Sequence, residues 1–277
     1  MIRTRVLPLA IALLLAGSLS CTTVANLLGT GGQAGTAPGA GEIAAPGEPG
    51  IEPTSDVRRL ELPPTPTPFH VTDEDDPRAI LDLGDPDYTD SFDDPVKWFN
   101  DDSPGRAAYQ VEDGRLWGMD YEPEEINSWW SWTDKQSDLV YAEVSATNGD
   151  CIGKDAVGFL IHADTALAAG GYSLEVSCDG SWRFLSHRLN NKRPEEVVEW
   201  TPSDVIQTGE GATNRLGIWD HFGTFYFFIN GVMVGEARDS QNRHPGGMFA
   251  LYVKASQTYN LEAWFDDLAV WQLPYTL

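Results

Sequence analysis

The chain has 277 residues, with 42 acidic against 18 basic side chains and a formal net charge of −24. A surface of that balance repels phosphate backbones and anionic headgroups, so nucleic-acid binding and charge-driven adhesion to a bilayer are excluded. Its three cysteines, Cys21, Cys151 and Cys178, have no neighbouring Cys or His at ligand spacing, which argues against a thiolate metal site.

In chain order, residues 1–20 read as an export signal. Arg3 and Arg5 precede an apolar run from Val6 to Ala16, too short to cross a bilayer. Ser18-Leu19-Ser20 ahead of Cys21 fits small-x-small cleavage and is similar to a bacterial lipobox. Cys21 is therefore the expected lipidation site, on an exported lipoprotein facing the extracellular or periplasmic side and touching the membrane through its lipid alone. Cys151 and Cys178 are then left as a pair, expected to form a disulfide in an oxidising compartment. Residues 21–84 read as a flexible linker. Gly, Ala, Pro and Thr dominate it and its end is acidic, so it cannot bury enough apolar surface to offset its ordering entropy.

Residues 85–277 read as one all-β domain. Strands are expected over 107–111, 115–120, 139–147, 156–163, 172–178, 182–189, 197–200, 248–254 and 260–273, punctuated by Asp113-Gly114, Asn148-Gly149, Asp179-Gly180 and Gly246-Gly247. A three-strand meander from Thr213 to Asp239 anchors the prediction. Its middle strand is apolar on both faces (Phe225, Phe227 and Ile229 against Tyr226 and Phe228), which demands cover on both sides. Asn230-Gly231 then supplies the positive φ of a two-residue hairpin turn. The architecture these signals predict is a two-sheet antiparallel jelly-roll sandwich.

The N-R-L strand, Gly turn, aromatic strand, N-G and V-x-V-G of this meander resemble concanavalin-like lectin/glucanase and laminin-G sandwiches. Residues 89–273 further resemble bacterial surface modules grouped with the 3-keto-disaccharide hydrolase domain. The matching pieces are Asp90-Ser91-Phe92, the D-G-R-L strand (Asp113 to Leu116), G-F-L-I (Gly158 to Ile161), G-Y-S-L-E-V (Gly171 to Val176) and F-D-D-L-A-V (Phe265 to Val270). The resemblance implies the sandwich fold and a carbohydrate-related role. It also implies a structural Ca²⁺ joining the first and last strands, for which Asp93, Gly114 and Asp266, or Asp267 in place of Asp266, are the candidates.

The E-x-D-x-x-E strand that glucanases of this fold use to set carboxylates on one face is absent, as are a nucleophile elbow, a P-loop and H-E-x-x-H. Aromatic and planar polar side chains are better represented. Trp130, Trp132, His162, Tyr172, Arg183, His187, Trp219 and His221 occupy positions that could face outward, and such groups suit the apolar C–H faces and hydroxyls of sugars. The expected function is a monomeric, non-catalytic polysaccharide- or glycan-binding or adhesion module. The alternatives are a glycoside hydrolase of the 3-keto-disaccharide type, or a structural module without ligand.

Overall fold

The computed structural model describes residues 81, 83–123, 128–164, 170–188, 192–241 and 243–274. The export segment, Cys21 and nearly all of the linker lie outside the described residues. Within them, the chain forms fifteen strands and no helix. They are β1 (Tyr88–Asp90), β2 (Asp101–Ser103), β3 (Ala107–Glu112), β4 (Arg115–Asp120), β5 (Ser131–Gln136), β6 (Val140–Asn148), β7 (Ala156–Ala163) and β8 (Gly171–Ser177). The rest are β9 (Ser181–Arg188), β10 (Lys192–Pro202), β11 (Thr213–His221), β12 (Thr224–Ile229), β13 (Val232–Arg238), β14 (Met248–Lys254) and β15 (Leu261–Gln272).

They make two antiparallel sheets, as the strand pattern predicts. A nine-stranded sheet runs β13-β12-β11-β6-β15-β4-β3-β2, with β1 against β15, and a six-stranded sheet runs β10-β9-β8-β7-β14-β5. The meander occupies one end of the larger sheet as β11, β12 and β13. Asn230 (φ 51°) and Gly231 (φ 81°) both take the left-handed conformation at its tight turn. One face of β12 meets the smaller sheet: Phe225 and Phe227 pack against Phe184 of β9, with ring centroids 5.1 and 4.5 Å apart. Its other face, Tyr226 and Phe228, joins a separate apolar cluster on the outside of the larger sheet.

Three strands escape the sequence pattern: β1, β2 and β5. β5 reads Ser-Trp-Thr-Asp-Lys-Gln, with one large apolar residue and no alternation to detect, and it ends the six-stranded sheet, with β14 on one side and only a bridge from Trp98 to Thr133 on the other.

The loops at one end of the sandwich are bound to each other. Cys151 and Cys178 form the expected disulfide, joining the loop before β7 to the residue after β8, with Cα atoms 6.0 Å apart. Asp155 is buried between two loops. Its carboxylate accepts the backbone N–H of Ile152 (2.9 Å), Ser256 (2.8 Å), Gln257 (2.8 Å) and Thr258 (3.2 Å), and the Thr258 hydroxyl (2.5 Å). Burial alone would raise its pKa; these donors outweigh it and leave the group below the ordinary carboxylate value.

Closing a loop of 27 residues' separation restricts the unfolded chain, a contribution of about 3–4 kcal/mol in the chain-entropy picture. Replacing Cys151 and Cys178 together by Ser is therefore expected to lower the unfolding free energy by about that much in urea titration, with the strand signature retained in circular dichroism.

Candidate functional site

The outer face of the six-stranded sheet carries an extended polar arrangement among the described residues. Alternation along β8 turns Tyr172, Leu174 and Val176 toward the core and Ser173, Glu175 and Ser177 outward. Cross-strand register then builds a row across four strands: Tyr252 of β14 pairs with Gly158 of β7, Gly158 with Glu175 of β8, and Glu175 with Arg183 of β9. Gly158 makes the row possible. The Tyr252 ring lies across it, and a Cβ there would come within 2.2 Å of Tyr252 Cζ. The hydroxyl thereby passes over one strand and reaches the next.

Tyr252 Oη lies 2.6 Å from Glu175 Oε1 and 2.7 Å from Ser173 Oγ, and Ser173 Oγ lies 2.8 Å from His187 Nε2. Arg183 Nε donates to Glu175 Oε2 at 2.5 Å. Proton counting fixes the directions. The carboxylate, ion-paired to Arg183, can only accept, so Tyr252 donates to it, Ser173 donates to Tyr252, and His187 Nε2–H donates to Ser173. His187 is buried, and burial first, then the charges of His244, Arg183 and Lys254, push its pKa down to about 3. It is a neutral donor throughout the physiological range. Burial and the neighbouring Glu175 likewise raise the Tyr252 phenol well above its ordinary value. The chain of donors keeps one protonation state.

Toward solvent the row continues through Arg183, whose side chain is 18% exposed. Its Nη1 donates to Glu196 Oε1 at 2.9 Å, and its guanidinium lies over the Trp200 ring at 4.3 Å. Burial would lower the Arg183 pKa, but the charge and hydrogen bond of Glu175 outweigh it and raise it. Lys154 Nζ also lies over Trp200, at 4.9 Å. On the other flank Trp130 stands edge-on to His187 (5.3 Å), and Trp132 stacks on Phe99 at 3.8 Å with the rings 8° from parallel. Phe99 is 41% exposed.

Of the eight side chains nominated from sequence, the structure brings Trp130, Trp132, Arg183 and His187 to this face. His162 and Tyr172 lie instead inside one end of the sandwich, against the loop between β13 and β14. His162, at φ 56°, contacts the His244 carbonyl through Nδ1 (2.6 Å). Its Nε2 lies 3.2 Å from Asp220 Oδ2 without hydrogen-bond geometry. The Tyr172 hydroxyl donates to Asp239. Trp219 and His221 belong to the other sheet, where Trp219 is buried and stacked on Tyr226 at 4.7 Å. A fold in which strands alternate faces and sheets cannot gather residues by type alone. Tyr252, Ser173, Glu175, Glu196 and Trp200 complete the site and were not nominated as ligand contacts. The polar alternation within G-Y-S-L-E-V was the available signal, while Gly158 as a seat for a distant Tyr carries none.

The calcium candidates are neighbours. A Cβ on Gly114 would stand 3.5 Å from Asp93 Oδ1. Burial, then Asp267 and more weakly Asp93, raise Asp266 to about 6. Arg115 acts in the opposite sense. Among the described residues no three His, Cys, Asp or Glu side chains converge as a metal site. Two carboxylates and a carbonyl match calcium's preference for oxygen, but backbone or water oxygens would have to complete its six to eight ligands.

No protein-family profile matches the chain, and no curated protein is similar to it in sequence. Solved structures similar to it include a Bacillus subtilis protein of unknown function with a galectin-like fold (12% identity, 68% of this chain and 96% of that one, TM-score 0.49). Another is the carbohydrate-binding module CBM66 from Bacillus subtilis (16% identity, 64% and 96%, TM-score 0.43). A third is the catalytic domain of an endo-1,3-β-glucanase (laminarinase) from Thermotoga petrophila RKU-1 (10% identity, 67% and 96%, TM-score 0.45).

Because the folded state holds the Asp266 proton more tightly than the unfolded chain does, its contribution is complete below about pH 4 and is lost as pH rises through about 6. With calcium removed by chelator, Asp266→Asn is expected to raise the melting temperature at about pH 7.5 and to leave it nearly unchanged at about pH 3.5. An equal effect at both would show that the carboxyl titrates normally.

Proposed function

We propose that this chain binds carbohydrate without cleaving it, across the outer face of the six-stranded sheet. The observation that carries the reading is the Tyr252–Glu175–Arg183–Glu196 row, flanked on the same face by Trp130, Trp132 and Trp200. Saccharides combine apolar ring faces with dense hydroxyls, and indoles beside planar hydrogen-bonding groups of fixed protonation answer both. From β5 to β10 the sheet spans five interstrand spacings, about 24 Å, which favours a ligand of several residues over a single sugar. The half-exposed rim (Arg183, Glu196, Trp200, Trp132) makes contact in this reading, and the buried Tyr252, Ser173 and His187 hold Glu175 and Arg183 in place. A calcium ion at Asp93, Gly114 and Asp266 belongs to the same proposal as a structural group. So does a lipid on Cys21, which would hold the domain outside the cell on its linker.

Soluble polysaccharides presented to the purified chain in affinity electrophoresis are expected to retard it. Arg183→Ala and Trp200→Ala should each weaken binding about tenfold or more, since one charged hydrogen bond or one stacked ring contributes on the order of 1–3 kcal/mol. Trp219→Phe, on the other sheet, should leave it unchanged. Free migration through every polysaccharide tried, or equal loss in all three variants, would end the reading.

A second reading, cleavage of a 3-keto-glycoside, is favoured only by the donor chain that ends on Glu175. Against it, Glu175 and Glu196 each commit an oxygen to the same guanidinium, so neither is held as the proton donor that glycoside hydrolysis requires. Turnover of a 3-keto-glucoside by the wild type, abolished in Glu175→Gln or His162→Ala, would reverse the ranking; none is expected.

A further inference from the structure

His162 is a buried imidazole that the carbohydrate reading leaves unused. It lies near the end of β7, between the sheets, edge-on to Tyr172 of one (5.8 Å) and Phe225 of the other (6.2 Å). Its backbone takes φ 56°, inside the left-handed region. There the ladder slips: Met248 pairs with Ala163 and Ala250 with Leu160, so β7 carries one residue more than β14. Side chains other than glycine enter that region at a cost, and such strain gathers at sites that hold a ligand. The strain aims the ring across the sandwich, from β7 of the six-stranded sheet toward Asp220 of β11 in the nine-stranded one.

What the ring meets is unfinished. Nδ1 lies 2.6 Å from the His244 carbonyl oxygen, which can only accept, so Nδ1 carries the proton and Nε2 of the neutral ring is a bare lone pair. Nε2 is buried and has no hydrogen-bond partner. It faces Asp220 Oδ2 at 3.2 Å, and the two side chains are 3% and 4% exposed. The carboxylate is itself fixed: Oδ1 accepts the Gly223 N–H at 3.1 Å and Oδ2 the Leu139 N–H at 3.2 Å. Two electron-rich atoms are thus held together out of water. A proton on Nε2 would point wide of the oxygen, because the contact lacks hydrogen-bond geometry.

We propose that His162 Nε2 and Asp220 Oδ2 share one divalent transition-metal ion of the zinc class, which clips the two sheets together at this end. Two ligands each about 2.1 Å from a tetrahedral ion stand about 3.3–3.4 Å apart, and each sees the other off its lone-pair axis. The observed pair meets both conditions. The His244 carbonyl supplies the outer hydrogen bond that fixes the tautomer of a metal-bound imidazole, and the Leu139 and Gly223 amides orient the carboxylate. Imidazole nitrogen selects zinc-like ions over calcium or magnesium. Among the described residues no third His, Cys, Asp or Glu side chain joins the pair, so water or backbone oxygens complete the coordination. The disulfide flanks the start of β7 and this clip its other end.

The test strips the full chain with a chelator and titrates it with Zn²⁺ alone, in calorimetry and in thermal melting. Wild type should bind one ion and melt at a higher temperature for it. Asp220→Asn and His162→Asn should each weaken binding about tenfold or more and lose the thermal shift. Asparagine also enters the left-handed region and keeps an amide donor, so His162→Asn removes the ligand atom without adding backbone strain. Arg183→Ala, on the outer face, should bind zinc as wild type does, which keeps this outcome separate from that of the carbohydrate reading. No response to Zn²⁺, or an equal one in wild type and both variants (an adventitious ion only), overturns the proposal. Should both variants fail to fold, wild type is judged by its histidine ring-nitrogen resonances. One buried ring should shift with Zn²⁺ and not with Ca²⁺, and an unchanged spectrum overturns the proposal equally.

Discussion

Three central strands, β6, β7 and β8, are buried at every position along their length. In a two-layer sandwich only one face of each sheet meets the partner sheet, so such strands force cover onto the outer faces as well. That constraint organises the molecule. The inner faces are filled by aliphatic and aromatic side chains of both sheets, and the outer faces must be closed with groups that tolerate burial while still carrying polar atoms.

Both sheets meet the demand in the same way. On the six-stranded sheet, Tyr252 donates to Glu175, which also takes Arg183; on the nine-stranded sheet, Tyr141 donates to Glu143, which takes Arg215 at 3.1 Å. A glycine lies under each tyrosine, Gly158 and Gly217. A buried carboxylate is costly unless paired and fully hydrogen-bonded, and a phenol plus a guanidinium satisfies both its oxygens in the plane of a sheet. The two differ in what happens next. Arg215 turns to Ser145 and the Asp267 carbonyl, which ends its hydrogen bonding within the protein. Arg183 turns outward to Glu196 and lies over Trp200. The same motif is closed on one sheet and open on the other.

The positions of most strands were legible because apolar alternation and turn residues are local; their order within the two sheets was not. The Asn230-Gly231 hairpin and the doubly apolar β12 follow from residues a few positions apart, whereas the disulfide, spanning 27 positions, follows from counting cysteines. The site was only half legible. Trp130, Trp132, Arg183 and His187 share a face, but whether an aromatic lies on that face depends on register and on bulges, as at His162 in β7, where pairing with β14 slips between Met248 and Ala250. Tyr252 acquires its partners only through a glycine almost a hundred residues earlier. No local pattern encodes that.

Asp155 has a different kind of consequence. A single carboxylate gathers donors from the loop that begins at Ile152 and from the turn at Ser256 to Thr258, so the lengths of these two connections are mutually set: neither can gain or lose a residue without stranding amides of the other. Evolutionary drift in loop size, ordinarily the cheapest variation a sandwich can accept, is therefore closed at this end of the fold. Relatives that diverge by insertion would have to do so elsewhere.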